Sequence, residues 1–120
     1  LSLVAVGDFS FYDHVLDTIA MLGMTPRRFA ATGSDMDRYF RMARGDADAD
    51  VPAMEMTKWF DTNYHYLIPE FTPDMSIRRS NSVIADDARR ARALGLRPKP
   101  VLLGPITLLC LGKEYKGADR

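Results

Sequence analysis

MEMTKWFDTNYHYLIPEF, residues 54–71, is the stretch on which the fold turns. It opens with Met54, Met56 and Lys58 alternating with Glu55 and Thr57, the period of a half-buried strand. Asp61, Thr62 and Asn63 follow, short polar side chains that compete with the backbone for hydrogen bonds and so end regular pairing. The same stretch holds the chain's single tryptophan, Trp59, beside Phe60, Tyr64, His65 and Tyr66. Polar and aromatic groups at this density predict a ligand surface where a strand ends.

Upstream, the apolar run Leu1–Val6 stops at Gly7 and Asp8, as a buried strand of a parallel sheet would. Val15, Leu16, Ile19 and Leu22 then recur at helical spacing and predict a helix over about Tyr12–Leu22, capped by Asp8 or Ser10 and closed by Gly23 and Pro26. Asp13, His14 and Asp17 fall on its polar face or at its start, His14 as an exposed or capping residue. Thr32–Asp37 carries a turn and a cap. A second helix follows over about Met36–Arg44, ended by Gly45 in the left-handed manner. Asp46–Asp50 is a solvated loop that lacks the glycine turn and terminal glutamate of a calcium loop.

Downstream, Val83, Ile84, Ala88, Ala91 and Leu94 form an apolar stripe that predicts a helix from Val83 to Leu94, capped by Ser80 or Ser82. Its arginines belong to a solvated face. Val101–Leu103 reads as a short buried strand ended by Gly104-Pro105. Apolar strands alternating with amphipathic helices indicate an α/β class with parallel strands and right-handed crossovers. The turns at Gly7-Asp8, at Lys58 and at Gly104-Pro105 would share one rim, the rim that carries function in a barrel. The 120 residues amount to about half of a (β/α)8 barrel of about 250. The expectation is therefore part of such a TIM-type barrel, about three consecutive βα units, with an open doubly wound sheet as the alternative.

Lysine plus arginine equals aspartate plus glutamate at 16 each, so the formal charge is zero and no electrostatic footprint for nucleic acid is present. The apolar runs are too short to span a bilayer. The chain begins at Leu1, which reads as a piece of a longer protein. A lone cysteine, Cys110 in ITLLCL, fits a reducing cytoplasm and is expected to be a buried, unreactive core residue. His14, His65 and Cys110 are scattered without the close ligand pairs of a zinc site.

Segments 6–23 (VGDFSFYDHVLDTIAMLG), 55–66 (EMTKWFDTNYHY) and 99–113 (KPVLLGPITLLCLGK) together resemble, in this order, the N-terminal half of the cobalamin-independent methionine synthases. The resemblance implies a two-barrel parent enzyme that moves a methyl group from 5-methyltetrahydropteroyltri-L-glutamate to L-homocysteine to make L-methionine. Residues 1–120 would be a fragment of the N-terminal barrel, facing a C-terminal barrel of the same chain. It implies no cobalamin, and a zinc held by the C-terminal half, with none of its ligands matched here. It also implies a cytoplasmic enzyme without nucleic-acid or membrane partners.

Within that resemblance Lys58 and Asn63 match positions associated with the folate substrate. A lysine point charge suits the carboxylates of the polyglutamate tail, and an amide orients a polar group. On the residues alone, Lys58 divides evenly between this role and a surface ion pair with Glu55 or Asp61. Trp59, Tyr64 and Tyr66 are expected to pack, and His65 to be a hydrogen-bonded core residue. No catalytic residue falls in the segment, and the family's upstream arginine, glutamate and lysine run is absent, so the fragment is expected to be inactive and a poor folder alone. The alternative is a structural barrel module that braces the catalytic domain.

Overall fold

The computed structural model, which describes residues 3–30 and 33–116, contains three small sheets and four helices, with the main apolar core around α1, α2 and the central stretch. Leu1, Ser2 and Thr32, which the sequence assigns to the first strand and the second turn, lie outside the described residues. The first strand, β1 (Leu3–Val6), leads into helix α1 (His14–Met21), a short 3-10 turn (Arg27–Phe29) and helix α2 (Asp35–Arg44). The central stretch supplies β2 (Met56–Lys58), β3 (His65–Leu67) and β4 (Glu70–Phe71). Helix α3 (Val83–Ala93), β5 (Arg97–Pro100), helix α4 (Pro105–Leu111) and β6 (Lys113–Glu114) complete the order.

The class is mixed α/β, and two of the ladders are parallel, β1 with β5 and β4 with β6. The expectation of parallel strands throughout fails at the central stretch. There β2 and β3 form an antiparallel hairpin, with Met56 opposite Leu67, Thr57 opposite Tyr66 and Lys58 opposite His65. The turn residues that mark the end of one strand in sequence reverse the chain into the next. Trp59 N–H donates to Tyr64 O at 2.7 Å, and the Thr62 hydroxyl donates to Trp59 O at 2.6 Å.

The last strand is also displaced. The ladder runs over Arg97–Pro100, not Val101–Leu103, and ends where Val101 N–H donates to Val6 O at 2.8 Å. Residues of odd number turn their amides toward β1, so Pro98 and Pro100 lack only donors that would point away from it. The helices lie close to their predicted bounds. Ser34 caps α2 in a reciprocal box with Asp37, whose carboxyl is held below the ordinary aspartate range by the Ser34 backbone and hydroxyl bonds. Gly45 ends α2 at φ 78° and ψ −174°, outside the left-handed helical region; a side chain there would meet Val51 O at 2.7 Å.

The core is built from the inner face of α1 (Val15, Leu16, Ile19), with Phe29, Met42 and Leu67 against it. The predicted stripe of α3 is buried only at Ala91, and Val83 and Leu94 stand exposed. Its outer arginines pair within the helix, Arg89 with Asp86 at 2.5 Å and Arg90 with Asp87 at 3.1 Å, exposed contacts worth little. Cys110 is a second correction, because it is exposed rather than buried. The segment is helix α4, which turns Leu108 inward and leaves Ile106, Leu109 and Cys110 outside. Among the described residues no helix is long and apolar enough to cross a membrane.

Ile19 is fully buried at the centre of this core. Ile19→Ala is expected to destabilise the protein by about 2–5 kcal/mol, read as a lower denaturant midpoint at unchanged slope.

Candidate functional site

Asp13 is the residue that joins the two halves of the site. It caps α1 from an extended conformation, φ −154° and ψ 132°, and its carboxylate accepts from Val15 N–H at 3.1 Å and Leu16 N–H at 3.0 Å. The same carboxylate accepts from Leu67 N–H on β3 at 3.0 Å and from the Tyr64 hydroxyl. It is 1% exposed. Asp8 and Ser10 are therefore not the cap; of the two places the sequence allows Asp13, the polar face or the start of the helix, it takes the start, and it is buried there. The available signal was an aspartate two and three residues ahead of the first buried helical positions. Its hairpin partners, more than fifty residues away, carry no local signal.

A second phenol completes the network. Tyr39, on α2, donates to the Asp17 carboxylate at 2.7 Å, lies 3.4 Å from the Ser10 hydroxyl and accepts from Asp13 N–H at 3.4 Å. Tyr64 in turn accepts from His14 N–H at 3.2 Å. Burial pushes the Tyr39 hydroxyl up to about 12, with the facing Asp17 carboxylate adding to the rise against the bonds from Ser10 and the Asp13 backbone. Tyr64 is raised as well, by burial first and then by the hydrogen bond to Asp13. Both hydroxyls are held as proton donors toward carboxylates.

The hairpin tip carries the predicted ligand residues. Lys58 and Asn63 are both exposed, and among the described residues Lys58 pairs with no carboxylate. Glu55, one of its two expected partners, instead meets Lys113 at 2.8 Å. Tyr64 lies next to Asn63 in sequence and beside His65, which is the register partner of Lys58, so its anchorage bears on both. Trp59 is half-buried and makes edge contacts with Phe60, Tyr64 and Tyr66 at 5.5, 6.3 and 5.8 Å, a packing role as expected. His65 is not a core histidine; it is exposed and its Nδ1 lies 3.0 Å from Asn63 O. His14 is exposed, 3.8 Å from Asp17, as expected.

Phe60 was not singled out in sequence and is unusual in two ways. It holds φ at 51° and is 78% exposed. An aromatic residue in left-handed backbone carries a conformational cost of about 1–2 kcal/mol, and here little packing offsets it. The sequence gives no sign of this, because phenylalanine is among the last residues expected there.

Two clefts adjoin these elements. One of about 620 Å3 lies beyond the end of β1, where Phe9 and Phe11 form an edge-to-face pair, and is walled by Asp17 and Tyr39. Lys58 and Asn63 do not line it, so the network, rather than the cleft, is what connects the hairpin to this region. The other, about 570 Å3, holds the bidentate Arg28–Glu70 pair, both contacts 2.5 Å, with Arg28 stacked over Phe29 and Tyr115. The Glu70 hydrogen bond holds the Arg28 guanidinium above its ordinary range despite burial. Among the described residues no three of His, Cys, Asp and Glu converge on a metal-ligating set.

An α/β chain with this capped helix and hairpin has well-defined relatives. The family described as cobalamin-independent synthase, N-terminal domain, matches residues 1–120, and the chain belongs to that family. It is 54% identical to the 5-methyltetrahydropteroyltriglutamate–homocysteine methyltransferase of Burkholderia thailandensis, over 100% of this chain and 16% of that protein. It is 53% identical to the protein of the same name from Acidithiobacillus ferrooxidans, over 95% of this chain and 14% of the relative. The Syntrophotalea carbinolica protein of that name is 51% identical over the whole chain. The chain thus spans about one-seventh of the length of these relatives.

Two outcomes follow from this geometry. Because folding raises the Tyr39 pKa above its unfolded value of about 10, its contribution to stability is complete below pH 10 and is lost as pH rises toward 12. Denaturant midpoints should therefore fall through that window, and less steeply in Tyr39→Phe. Phe60→Asn, which tolerates left-handed backbone, should leave the melting temperature unchanged or higher.

Proposed function

We propose that the protein containing this chain transfers a methyl group from 5-methyltetrahydropteroyltri-L-glutamate to L-homocysteine, forming L-methionine. In this reading the chain supplies part of the site for the folate's glutamate tail, through Lys58 and Asn63. The observation that carries it is the hairpin tip, which presents an ammonium group with no carboxylate partner among the described residues, close in sequence to an exposed amide, on a support fixed to α1. Lys58 would meet a tail carboxylate as a point charge, and Asn63 would orient a neighbouring polar group. Family membership and the names of the relatives support the substrate class.

The parallel pairing of β1 with β5 and β4 with β6 supports placing this segment in a (β/α)8 barrel that works against a second, C-terminal barrel of the same chain. Zinc, implied by the family, finds no fitting ligand set among the described residues, and no step assigned to this chain runs through it. The family's name carries the independence from cobalamin. A cytoplasmic setting is part of the same proposal.

Lys58→Ala tests the reading. Loss of one charge-assisted hydrogen bond is worth about 1.5–3 kcal/mol, so the KM for triglutamate folate should rise about tenfold to a hundredfold. The effect should shrink with a monoglutamate and in high salt. Asn63→Ala should show little salt dependence. Equal kinetics of Lys58→Ala and the unaltered protein at low salt, with the fold intact, would favour the bracing-module alternative.

A further inference from the structure

We infer that Asp13 and Tyr64 form a positioning device that sets the affinity of the hairpin tip for its anionic ligand; the inference rests on the folate-tail reading of Lys58 and Asn63. The β2–β3 ladder is only three residues a side, too short to fix its own orientation. Its tip includes a left-handed Phe60 and no buried side chain between Trp59 and His65. Trp59 packs against Phe60, Tyr64 and Tyr66, and the directional part of the hold is polar. The Asp13 Oδ1 accepts from Val15 N–H and the Tyr64 hydroxyl, and Oδ2 accepts from Leu16 N–H and Leu67 N–H. Each oxygen bridges the start of α1 to one point of the hairpin, so the carboxylate sets both position and rotation.

The chemistry explains why aspartate, and not asparagine, is required. Both oxygens face two donors, and either orientation of an amide placed here would turn its NH2 toward at least one backbone N–H, of Val15 on one side or of Leu16 and Leu67 on the other, which can only donate. Tyr64 also accepts from His14 N–H, so its hydroxyl is engaged in both directions. Asp13 itself is buried and touches no solvent-facing ligand position. It acts through Tyr64 and β3, with Asn63 adjacent to Tyr64 and Lys58 opposite His65.

The test uses the full-length protein, with Tyr64→Phe, Asp13→Asn and Lys58→Ala compared. Hydrogen exchange of the peptide covering 57–67 is read by mass spectrometry, beside steady-state kinetics with triglutamate and monoglutamate folate. Tyr64→Phe is expected to speed exchange in that peptide and to raise KM for the triglutamate about tenfold. Turnover should stay within about twofold, and the monoglutamate KM should move less. Asp13→Asn should do the same more strongly. Should it fail to fold, Tyr64→Phe still decides, since Tyr64 is 39% exposed and loses only a hydroxyl. The double variant Tyr64→Phe, Lys58→Ala should lose no more tail preference than Lys58→Ala alone, because Tyr64 acts by placing the ammonium that is then gone.

Unchanged exchange in Tyr64→Phe, or a fully additive double variant, overturns the inference. If Lys58→Ala lowers the preference for the triglutamate and Tyr64→Phe does not, the positioning role alone fails. If Lys58→Ala leaves that preference intact, the folate-tail reading fails and takes this inference with it.

Discussion

A single buried carboxylate, that of Asp13, decides how the hairpin sits on the rest of the molecule. Removed from water, a carboxylate needs a full set of donors, and Asp13 finds them in two helical N–H groups, one strand N–H and one phenol. No cation takes part in this set. The first turn of α1 contributes its orphan amides and the positive end of its dipole, the environment that best tolerates negative charge without a counterion. Hydrogen bonds to charged groups are each worth about 1.5–3 kcal/mol, and losing one partner leaves the others around an undersatisfied group. The helix start and the hairpin are therefore coupled, and neither can shift without the other.

Apolar packing supplies most of the driving force but little of this orientation. Val15, Leu16 and Ile19 would bury comparable area against a hairpin rotated by some degrees, because the hydrophobic effect is non-directional. A second directional bond acts on the following strand, where Arg28 grips Glu70 with two contacts of 2.5 Å and places the 3-10 turn against β4. Fork geometry fixes angle as well as distance. The Gly112 backbone then closes over Phe71, where a side chain would meet the ring at 2.0 Å, and β6 pairs beside β4. Residues 65–71 are thus held from both ends by ionic or charge-assisted contacts.

The helices were legible because their information is local. Periodicity placed α1, α2 and α3 to within a residue or two, and Ser34 and Ser82 stand at the predicted cap positions. The sheets were less so. Asp61-Thr62-Asn63 announces that pairing stops, but whether the chain turns back on itself depends on whether HYL is read as a strand, and three residues give too little alternation to say. The register of β5 depends on which amides β1 can reach, and two prolines disguised the strand as a linker. Cys110 misled for a different reason. An apolar run of that length fits a buried strand or one side of a helix equally, and the helical outcome buries Leu108 and exposes its neighbours. Asp13 was visible only as an acid on the polar face or at the start of the helix, since its tertiary partners are distant in sequence.

The zero net charge bears on how the proposed tail site would work. With acids and bases balanced, this chain adds no net positive charge to draw in a polyanion, so recognition at the proposed site would depend on short-range contacts at defined points. Short-range contacts are sensitive to placement. An ammonium group on a flexible four-carbon stem tolerates some error, but the amide of Asn63 does not, because its donors and acceptor must face the right atoms. A site of this kind gains more from a stiff base than from added charge. Under the proposed reading, that would be the physical sense of Lys58 and Asn63 standing on a short hairpin whose tip is tied, through Tyr64, to a carboxylate locked at the start of a buried helix.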